Sequence, residues 1–181
     1  HDVLSDPDKR AQYDQHGHTN SIIIQTKKDK YTIDSVAIAG DLADVYHAKN
    51  GKGEEVAFKI VRDPKNNDLL ENEWKMLNLV RPPDKKEERH FRFFPTPIET
   101  LKISTDGKQR QTNIMTWATG HYTLERVRSA FNGALPIAQG IWMFRRLLSA
   151  LSWVNQGKKI VHGGLVPTNV MVFSGTGGIY E

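Results

Sequence analysis

Residues 55–80, EVAFKIVRDPKNNDLLENEWKMLNLV, carry the pattern that decides the fold. The first seven, Glu55–Val61, are rich in β-branched and aromatic side chains, which predicts a strand. A short polar link leads to a helix predicted over Asn67–Val80, which ends before Pro82-Pro83. This stretch therefore predicts a strand followed directly by a helix.

Lys59 lies inside the apolar strand. Side chains alternate between the two faces of a strand, so Ala57, Lys59 and Val61 share one face. On a central strand a lysine in this position needs a partner or a ligand. On an edge strand Lys59 would instead lie in water, and the strand pattern alone leaves both alternatives open.

The helix offers Lys59 a partner. At helical spacing one face carries the residues Leu69, Glu73, Met76, Leu77 and Val80. Glu73 lies in the middle of this apolar stripe and Glu71 does not. Because a carboxylate among apolar side chains is costly without a cation, we predict an ion pair between Glu73 and Lys59.

The remaining segments predict a β-rich first part and a helical second part. Further strands are predicted over Tyr31–Ile38, Ala43–Ala48, Phe94–Ile103, Arg110–Trp117 and Val170–Phe173, and further helices over Tyr122–Phe131 and Pro136–Gln156. The long helix has one apolar face, formed by Ile137, Ile141, Phe144, Leu148 and Leu151. This order gives an α+β fold class.

Four segments together resemble the protein-kinase family. Val56–Lys59 resembles its Val-Ala-Ile-Lys strand, and Asn72–Leu77 its glutamate-bearing helix. Asn113–Ala118 resembles the strand leading to the hinge, and Ile160–Met171 the catalytic loop. The resemblance covers residues 31–181 and stops before the Asp-Phe-Gly motif. It implies a five-stranded antiparallel N-lobe sheet with one αC-type helix over 31–118, and an incomplete helical C-lobe over 119–181.

The resemblance also implies an ATP site. Met115 would be the gatekeeper, Thr116 to Ala118 would contact adenine, and adenine would insert between Ala57 and Met171. The full set of implied nucleotide-binding residues is Gly40, Val45, Ala57, Lys59, Glu73, Met115, Thr116, Trp117, Ala118 and Met171. Asn169 resembles a ligand of the second Mg²⁺, with a loop-stabilising amide as the alternative.

The catalytic loop departs from the family pattern. Kinases carry an aspartate base after His-Arg and a lysine two residues later, whereas His162-Gly163 is followed here by Gly164 and then Val166. Glycine cannot accept a proton and valine cannot balance phosphate charge. Loss of a positioned base costs roughly 10²–10⁴-fold in rate. We therefore expect no intact catalytic set among His162, Gly163, Gly164 and Asn169.

The glycine-rich loop that would cover the phosphates is also degraded. Its three glycine positions are Ile38, Gly40 and Ala43, so only one glycine remains. Glycines allow backbone N–H groups to approach phosphates. Asp41 and Asp44 would oppose a triphosphate unless a metal ion or a lysine compensates. The sequence thus predicts weakened triphosphate binding.

Residues 1–17 have a separate resemblance. Val3–Gly17, VLSDPDKRAQYDQHG, is similar to the end of a DnaJ-type J-domain, and residues 18–30 are interpreted as a linker or a loosely held strand. The resemblance implies a DnaK-type chaperone as partner, contacted through a His-Pro-Asp turn that this sequence does not contain. We therefore do not expect this fragment to stimulate the chaperone.

Composition excludes several classes of function. The 181 residues include no cysteine, which excludes disulfides, cysteine-based zinc sites and thiol catalysis and favours the cytoplasm. The net charge is +4, but the basic residues alternate with acidic ones, as in residues 84–89. Neither a nucleic-acid partner nor a membrane partner is expected.

The leading hypothesis is a J-domain-linked pseudokinase that binds nucleotide or protein clients and regulates chaperone recruitment. The alternatives are an atypical active Ser/Thr-type protein kinase and a nucleotide-independent interaction scaffold. Without the helices that follow in the kinase family, the apolar face of residues 137–151 should be only half covered, and we expect poor solubility or oligomerisation.

Overall fold

The structure, a computed structural model, describes residues 22–81 and 91–173, except for the side chains of residues 35 and 36. The J-domain-like segment over residues 1–17 lies outside the described residues, as do Pro82-Pro83 and the charged run over 84–89. The described elements are strands β1 (Ile22–Gln25), β2 (Lys30–Ala39), β3 (Ala43–Lys49), β4 (Glu55–Val61), β5 (Pro97–Thr105), β6 (Lys108–Thr116), β7 (His121–Thr123) and β8 (Met171–Phe173), and helices α1 (Asn67–Val80), α2 (Leu124–Ala130) and α3 (Ile137–Ser152). The α+β class is confirmed.

An antiparallel sheet contains six strands in the order β1-β2-β3-β4-β6-β5. The expected number was five, and β1 is the strand that the count missed. Its residues 22–25 pair with residues 30–33 of β2, so the alternative of a strand within residues 18–30 holds for residues 22–25. Strand β4 lies between β3 and β6, which removes the alternative that Lys59 belongs to an edge strand.

The two faces of the sheet differ in character. One face forms the apolar core, whose buried residues are Tyr31, Ile33, Ala48, Val56, Phe58 and Ile114. The Tyr31 and Phe58 rings meet edge to face with their centroids 5.0 Å apart. Because side chains alternate along each strand, Lys59 lies on the opposite face.

The described residues divide into two compact units. The first comprises residues 22–74 and 97–117, and the second comprises residues 75–81, 91–96 and 118–173. The second unit contains the two-stranded β7-β8 sheet, α2 and α3. It also has a small core of its own, formed by Val80, Phe91 and Val154.

The structure corrects several predicted boundaries. Strand β5 begins at Pro97 instead of Phe94, because the Phe94 N–H donates to the Phe91 carbonyl (2.8 Å) in a turn. Helix α2 begins after Thr123, whose hydroxyl caps it by accepting from the Arg126 N–H, so Tyr122 belongs to β7. Helix α3 gives way to a π-helical turn over Trp153–Gly157.

The buried face of α1 differs from the prediction at its first residue, whereas Leu77 and Val80 are buried as predicted. Leu69 is 45 % exposed, whereas Leu70 is buried against Ala43 and Val61. The stripe therefore starts at Leu70 and continues through Glu73. Leu69 and Leu70 lie four and three residues before Glu73, so either of them can share a helix face with it. The prediction for Glu73 was therefore correct although the first residue of the stripe was not.

Because of Tyr31, we expect the sheet to lose stability at alkaline pH. Burial, followed by the negative charges of Glu99 and Asp29, raises the pKa of Tyr31 to about 12. A tyrosine in the unfolded chain titrates near pH 10. The stability that the neutral Tyr31 side chain contributes is therefore fully present below pH 10 and is lost as the pH rises toward 12. At about 1.4 kcal/mol per pKa unit the loss reaches roughly 3 kcal/mol.

Urea unfolding at a series of pH values between these limits measures the loss. Tyr31→Phe lacks the titrating hydroxyl, so the difference between the wild-type and variant curves isolates this group from other residues that titrate there. If the unfolding free energies of wild type and Tyr31→Phe change in parallel over the whole pH range, Tyr31 is not the group responsible.

Candidate functional site

Lys59 and Glu73 form the ion pair that the sequence predicts. Lys59 Nζ donates to Glu73 Oε1 at 2.5 Å, and the two side chains are 29 % and 30 % exposed. Glu71, which the helix-face argument rejected, instead pairs with Lys102 at 2.9 Å. The prediction of this pair, and of Glu73 over Glu71, is confirmed.

Several implied nucleotide-binding residues share the sheet face of Lys59. In the strand register Lys59 lies beside Val45 on one side and Asn113 on the other. The next row places Ala57 beside His47 and Met115. Directly paired residues in an antiparallel sheet point to the same side. We call this surface the Lys59 face, defined by Val45, His47, Ala57, Lys59, Asn113 and Met115.

The Lys59 face combines apolar side chains with a cation. Ala57 and Met115 are 7 % and 8 % exposed, and Val45 is half-buried. Apolar side chains with a few placed polar groups are typical of small-molecule sites. The face therefore places the Lys59–Glu73 ion pair next to buried apolar side chains.

The surviving glycine of the phosphate loop has a structural reason to be glycine. The Gly40 N–H donates to the Ala43 carbonyl at 2.9 Å. A Cβ atom at Gly40 would lie 2.6 Å from that oxygen, closer than side chains tolerate. The tight turn between β2 and β3 thus accounts for Gly40 without a phosphate.

Arg62 holds this turn and supplies a cation that the sequence argument did not consider. Its guanidinium donates to the carbonyls of Gly40 and Asp41 and pairs with Asp44 Oδ1 at 2.7 Å. The hydrogen bond and charge of Asp44 raise the pKa of Arg62 above its ordinary value. Arg62 therefore offsets the negative charge of Asp44 at this turn.

His47 ties three strands together beside the hinge-like segment. Its ring nitrogens lie 2.7 Å from Asp34 Oδ2 and 3.4 Å from Glu55 Oε1. Its ring also meets the Trp117 ring, with centroids 4.9 Å apart. The spacing of the histidines along the sequence did not indicate this arrangement, because its partners come from neighbouring strands.

The implied hinge residues differ in exposure. Thr116 is exposed and Trp117 is half-buried, and the Trp117 N–H donates to the Glu55 carbonyl at 3.4 Å. Ala118 belongs to the second unit. Met171 also belongs to that unit, on β8, and is 47 % exposed.

The loop that resembles a catalytic loop lies in the second unit and is held by its own backbone. Asn169 Nδ2 donates to the Gly164 carbonyl at 2.9 Å, and the Asn169 N–H donates to the Val166 carbonyl at 2.9 Å. These bonds agree with the loop-stabilising alternative for Asn169. His162 is exposed, and its Nδ1 accepts from the Gly164 N–H at 3.4 Å.

Gly164 has room for a side chain. A Cβ atom there would have the Asn169 amide nitrogen as its nearest neighbour, at 3.8 Å, an ordinary contact distance. The lack of a carboxylate at this position is therefore not imposed by the fold.

The part of the chain that the structure describes contains no group of three or more His, Asp or Glu side chains arranged to hold a metal ion. Among the same residues, no helix has the length and apolar character required to span a membrane.

Sequence reasoning missed one buried polar group on the Lys59 face, Asn113, which contacts both Glu73 and the backbone of α1. A usable signal was present. Gln111, Thr112 and Asn113 are consecutive polar residues in a strand next to Ile114, and polar groups buried in a strand require partners.

No protein-family model matches this sequence, and no curated protein matches it.

Proposed function

We propose that this chain is the kinase-like part of a J-domain-linked pseudokinase, which binds nucleotide or a protein client without transferring phosphate. The observation that carries the proposal is the Lys59–Glu73 pair, formed between a central strand and the helix that follows it. In protein kinases a strand lysine and a helix glutamate pair in this way to position phosphates.

The proposal extends to the fold. We assign β2 to β6 to a kinase-like N-lobe sheet, α1 to its αC-type helix and the second unit to part of a C-lobe. The supporting observations are the central position of β4 and the direct succession of β4 and α1. Strand β1 is then an addition at the sheet edge.

Absence of transfer chemistry follows from the loop over residues 162–169. Gly164 and Val166 offer neither a base nor a cation at the positions where kinases carry them. Lys59, Val45, Ala57 and Met115 fit the adenine and phosphate ends of a nucleotide. The fit to Mg²⁺ is poorer, because Asp44 is paired with Arg62 and the Asn169 amide bonds within its loop.

The chaperone part of the proposal depends on Val3–Gly17, through its resemblance to the end of a J-domain. In the full-length protein a complete J-domain would recruit a DnaK-type chaperone, and the pseudokinase would regulate that recruitment through bound nucleotide or client.

Thermal unfolding with and without ATP tests nucleotide binding. We expect millimolar ATP to raise the Tm of the wild-type chain, because a ligand that binds only the folded state stabilises it by RT ln(1 + [L]/Kd). Lys59→Ala should abolish the shift. Lys75→Ala removes an exposed lysine from the same helix as Glu73 and should keep it. Repeating the series without magnesium shows whether binding needs the metal.

A sensitive phosphotransfer assay on the full-length protein separates the alternatives. We expect no turnover above background. Turnover that is lost in Lys59→Ala would overturn the pseudokinase proposal and favour an active kinase. No Tm shift at millimolar ATP would instead favour the nucleotide-independent scaffold.

A further inference from the structure

A chain of hydrogen bonds inside the first unit ends on Glu73. Gln111 Nε2 donates to Thr100 Oγ1 (2.6 Å), which donates to Asn113 Oδ1 (2.8 Å). Asn113 Nδ2 then donates to Glu73 Oε2 (3.1 Å). Since Lys59 occupies Oε1, both oxygens of the Glu73 carboxylate have a donor. We call Gln111, Thr100 and Asn113 the relay.

The two amides of the relay are buried and Thr100 is half-buried, so their hydrogen bonds contribute to stability. Asn113 is 0 % exposed and Gln111 is 4 % exposed. A buried amide left without a partner loses its full hydration free energy, whereas a bonded one recovers it. These amides are therefore stable in the sheet only while Thr100 and α1 supply their partners.

The relay has a fixed direction. The Thr100 hydroxyl has one proton and accepts from Gln111, and its distance to Asn113 Oδ1 (2.8 Å) is shorter than that to the Thr112 carbonyl (3.3 Å). Each donor in the relay thus points toward the negative charge of Glu73. Hydrogen bonds aligned in this way strengthen one another.

Asn113 also binds the main chain of the helix. The Nδ2 atom that meets Glu73 donates its second hydrogen to the Leu70 carbonyl at 2.8 Å. One side chain on β6 therefore fixes both the backbone of α1 and the carboxylate that α1 presents to Lys59.

We propose that Asn113 is the positioning residue that keeps α1 docked and Glu73 against Lys59 in the absence of any ligand. As a role in nucleotide affinity it rests on the proposed function; as a role in helix docking it does not. When the binding-competent arrangement is already populated, a ligand loses no affinity to forming it. Asn113 would then set the affinity of the Lys59 face for a nucleotide without touching the nucleotide.

Hydrogen exchange of the α1 amides that belong to the first unit, residues 67–74, tests docking without assuming a ligand. Asn113→Leu keeps a similar volume and removes both donors. Because a hydrogen bond to a charged group contributes roughly 1.5–3 kcal/mol, we expect α1 to exchange at least about tenfold faster. Gln109→Leu, an exposed amide on the same strand, is the matched control and should leave α1 exchange unchanged.

Asn113→Asp adds a second measurement, the pH dependence of α1 exchange, which would not change if Asn113 served only to fill space. At neutral pH it places a carboxylate against Glu73, and α1 should lose protection. As the pH falls and the new carboxyl binds a proton, it can donate to Glu73, so protection should recover relative to wild type. A defect in Asn113→Asp that is the same at every pH would overturn the proposal.

Thr100→Val provides a milder break of the relay. It removes the donor to Asn113 and the acceptor of Gln111 but leaves both bonds from Asn113 to α1, so α1 exchange should rise by a smaller factor in the same direction. If Asn113→Leu unfolds the whole sheet, unchanged α1 protection in Thr100→Val overturns the proposal. Unchanged protection in a folded Asn113→Leu variant does the same.

Binding of MgATP to the same variants separates this inference from the proposed function. A rise in Kd for Asn113→Leu that parallels the loss of α1 protection supports both. Altered exchange in a chain whose wild type binds no MgATP supports the positioning role and removes the nucleotide proposal. Bound MgATP with unchanged exchange and unchanged Kd overturns the positioning role alone.

Discussion

Phe58→Ala should cost about 3–5 kcal/mol of unfolding free energy, the range typical of emptying a well-packed aromatic site. Phe58 is 0 % exposed and lies on the central strand β4. Its ring packs on Tyr31 edge to face, and its strand neighbours are Tyr46 and Ile114. The loss is a large part of the 5–15 kcal/mol by which a typical domain is stable.

Urea unfolding followed by the circular dichroism of the sheet measures this loss. Phe131→Ala makes the same chemical change at a site that is 49 % exposed, and it should stay within about 0.5 kcal/mol of wild type. A cost below about 1 kcal/mol for Phe58→Ala would mean that the core face is not packed as described.

The strand and helix of residues 55–80 were predictable because each is decided locally. Glu55–Val61 and Asn67–Val80 have the predicted bounds. The apolar alternation of β4 and the Pro82-Pro83 stop are contained within the segment itself. Glu73 could be selected because helical spacing fixes which residues share a face.

The edge of the sheet was harder to predict. Ile22–Gln25 forms β1 through pairing with β2 across the turn at Thr26–Asp29. Nothing in the three lysines of residues 27–30 favours a strand, and the pairing appears only once β2 is in place. Similarly, β7 exists because residues 121–123 pair with residues 171–173, far along the chain.

The electrostatic surroundings of the site depend on tertiary contacts, which sequence spacing does not contain. Arg62 follows β4 directly, yet its role depends on the turn at Gly40. Asn113 reaches Glu73 across 40 residues of sequence. The two charges that must pair follow from the sequence. The run Gln111-Thr112-Asn113 indicates buried polar groups, but which partners they meet depends on the strand order.

The apolar face of α3 gives the second large effect, which is self-association of the 181-residue chain. The sequence predicted a face that is only partly covered, and the structure agrees. Ile137 is 81 % exposed, Ile141 53 %, Phe144 61 % and Leu148 47 %. A soluble monomer rarely presents a contiguous row of large apolar side chains, because each loses free energy to water. We expect sedimentation to show dimers or larger species at micromolar concentration.

Replacing Ile141 and Phe144 together by lysine should weaken this association roughly 10- to 100-fold. Burying one such side chain contributes about 1.5–3 kcal/mol, and half of that for two residues corresponds to a factor of this order. The added charges lie beside Arg145 and Arg146 and increase the repulsion between copies.

The repulsion gives the association a distinctive salt dependence. Because arginines flank the face, added salt should tighten self-association of the wild-type chain by screening like charges. The control is Ile38→Lys with Leu79→Lys, which adds the same charge and removes similar apolar area at sites 54 % and 59 % exposed elsewhere. A control that dissociates as strongly would assign the effect to net charge. A wild-type chain that stays monomeric at every concentration would show that the exposed face of α3 does not drive association.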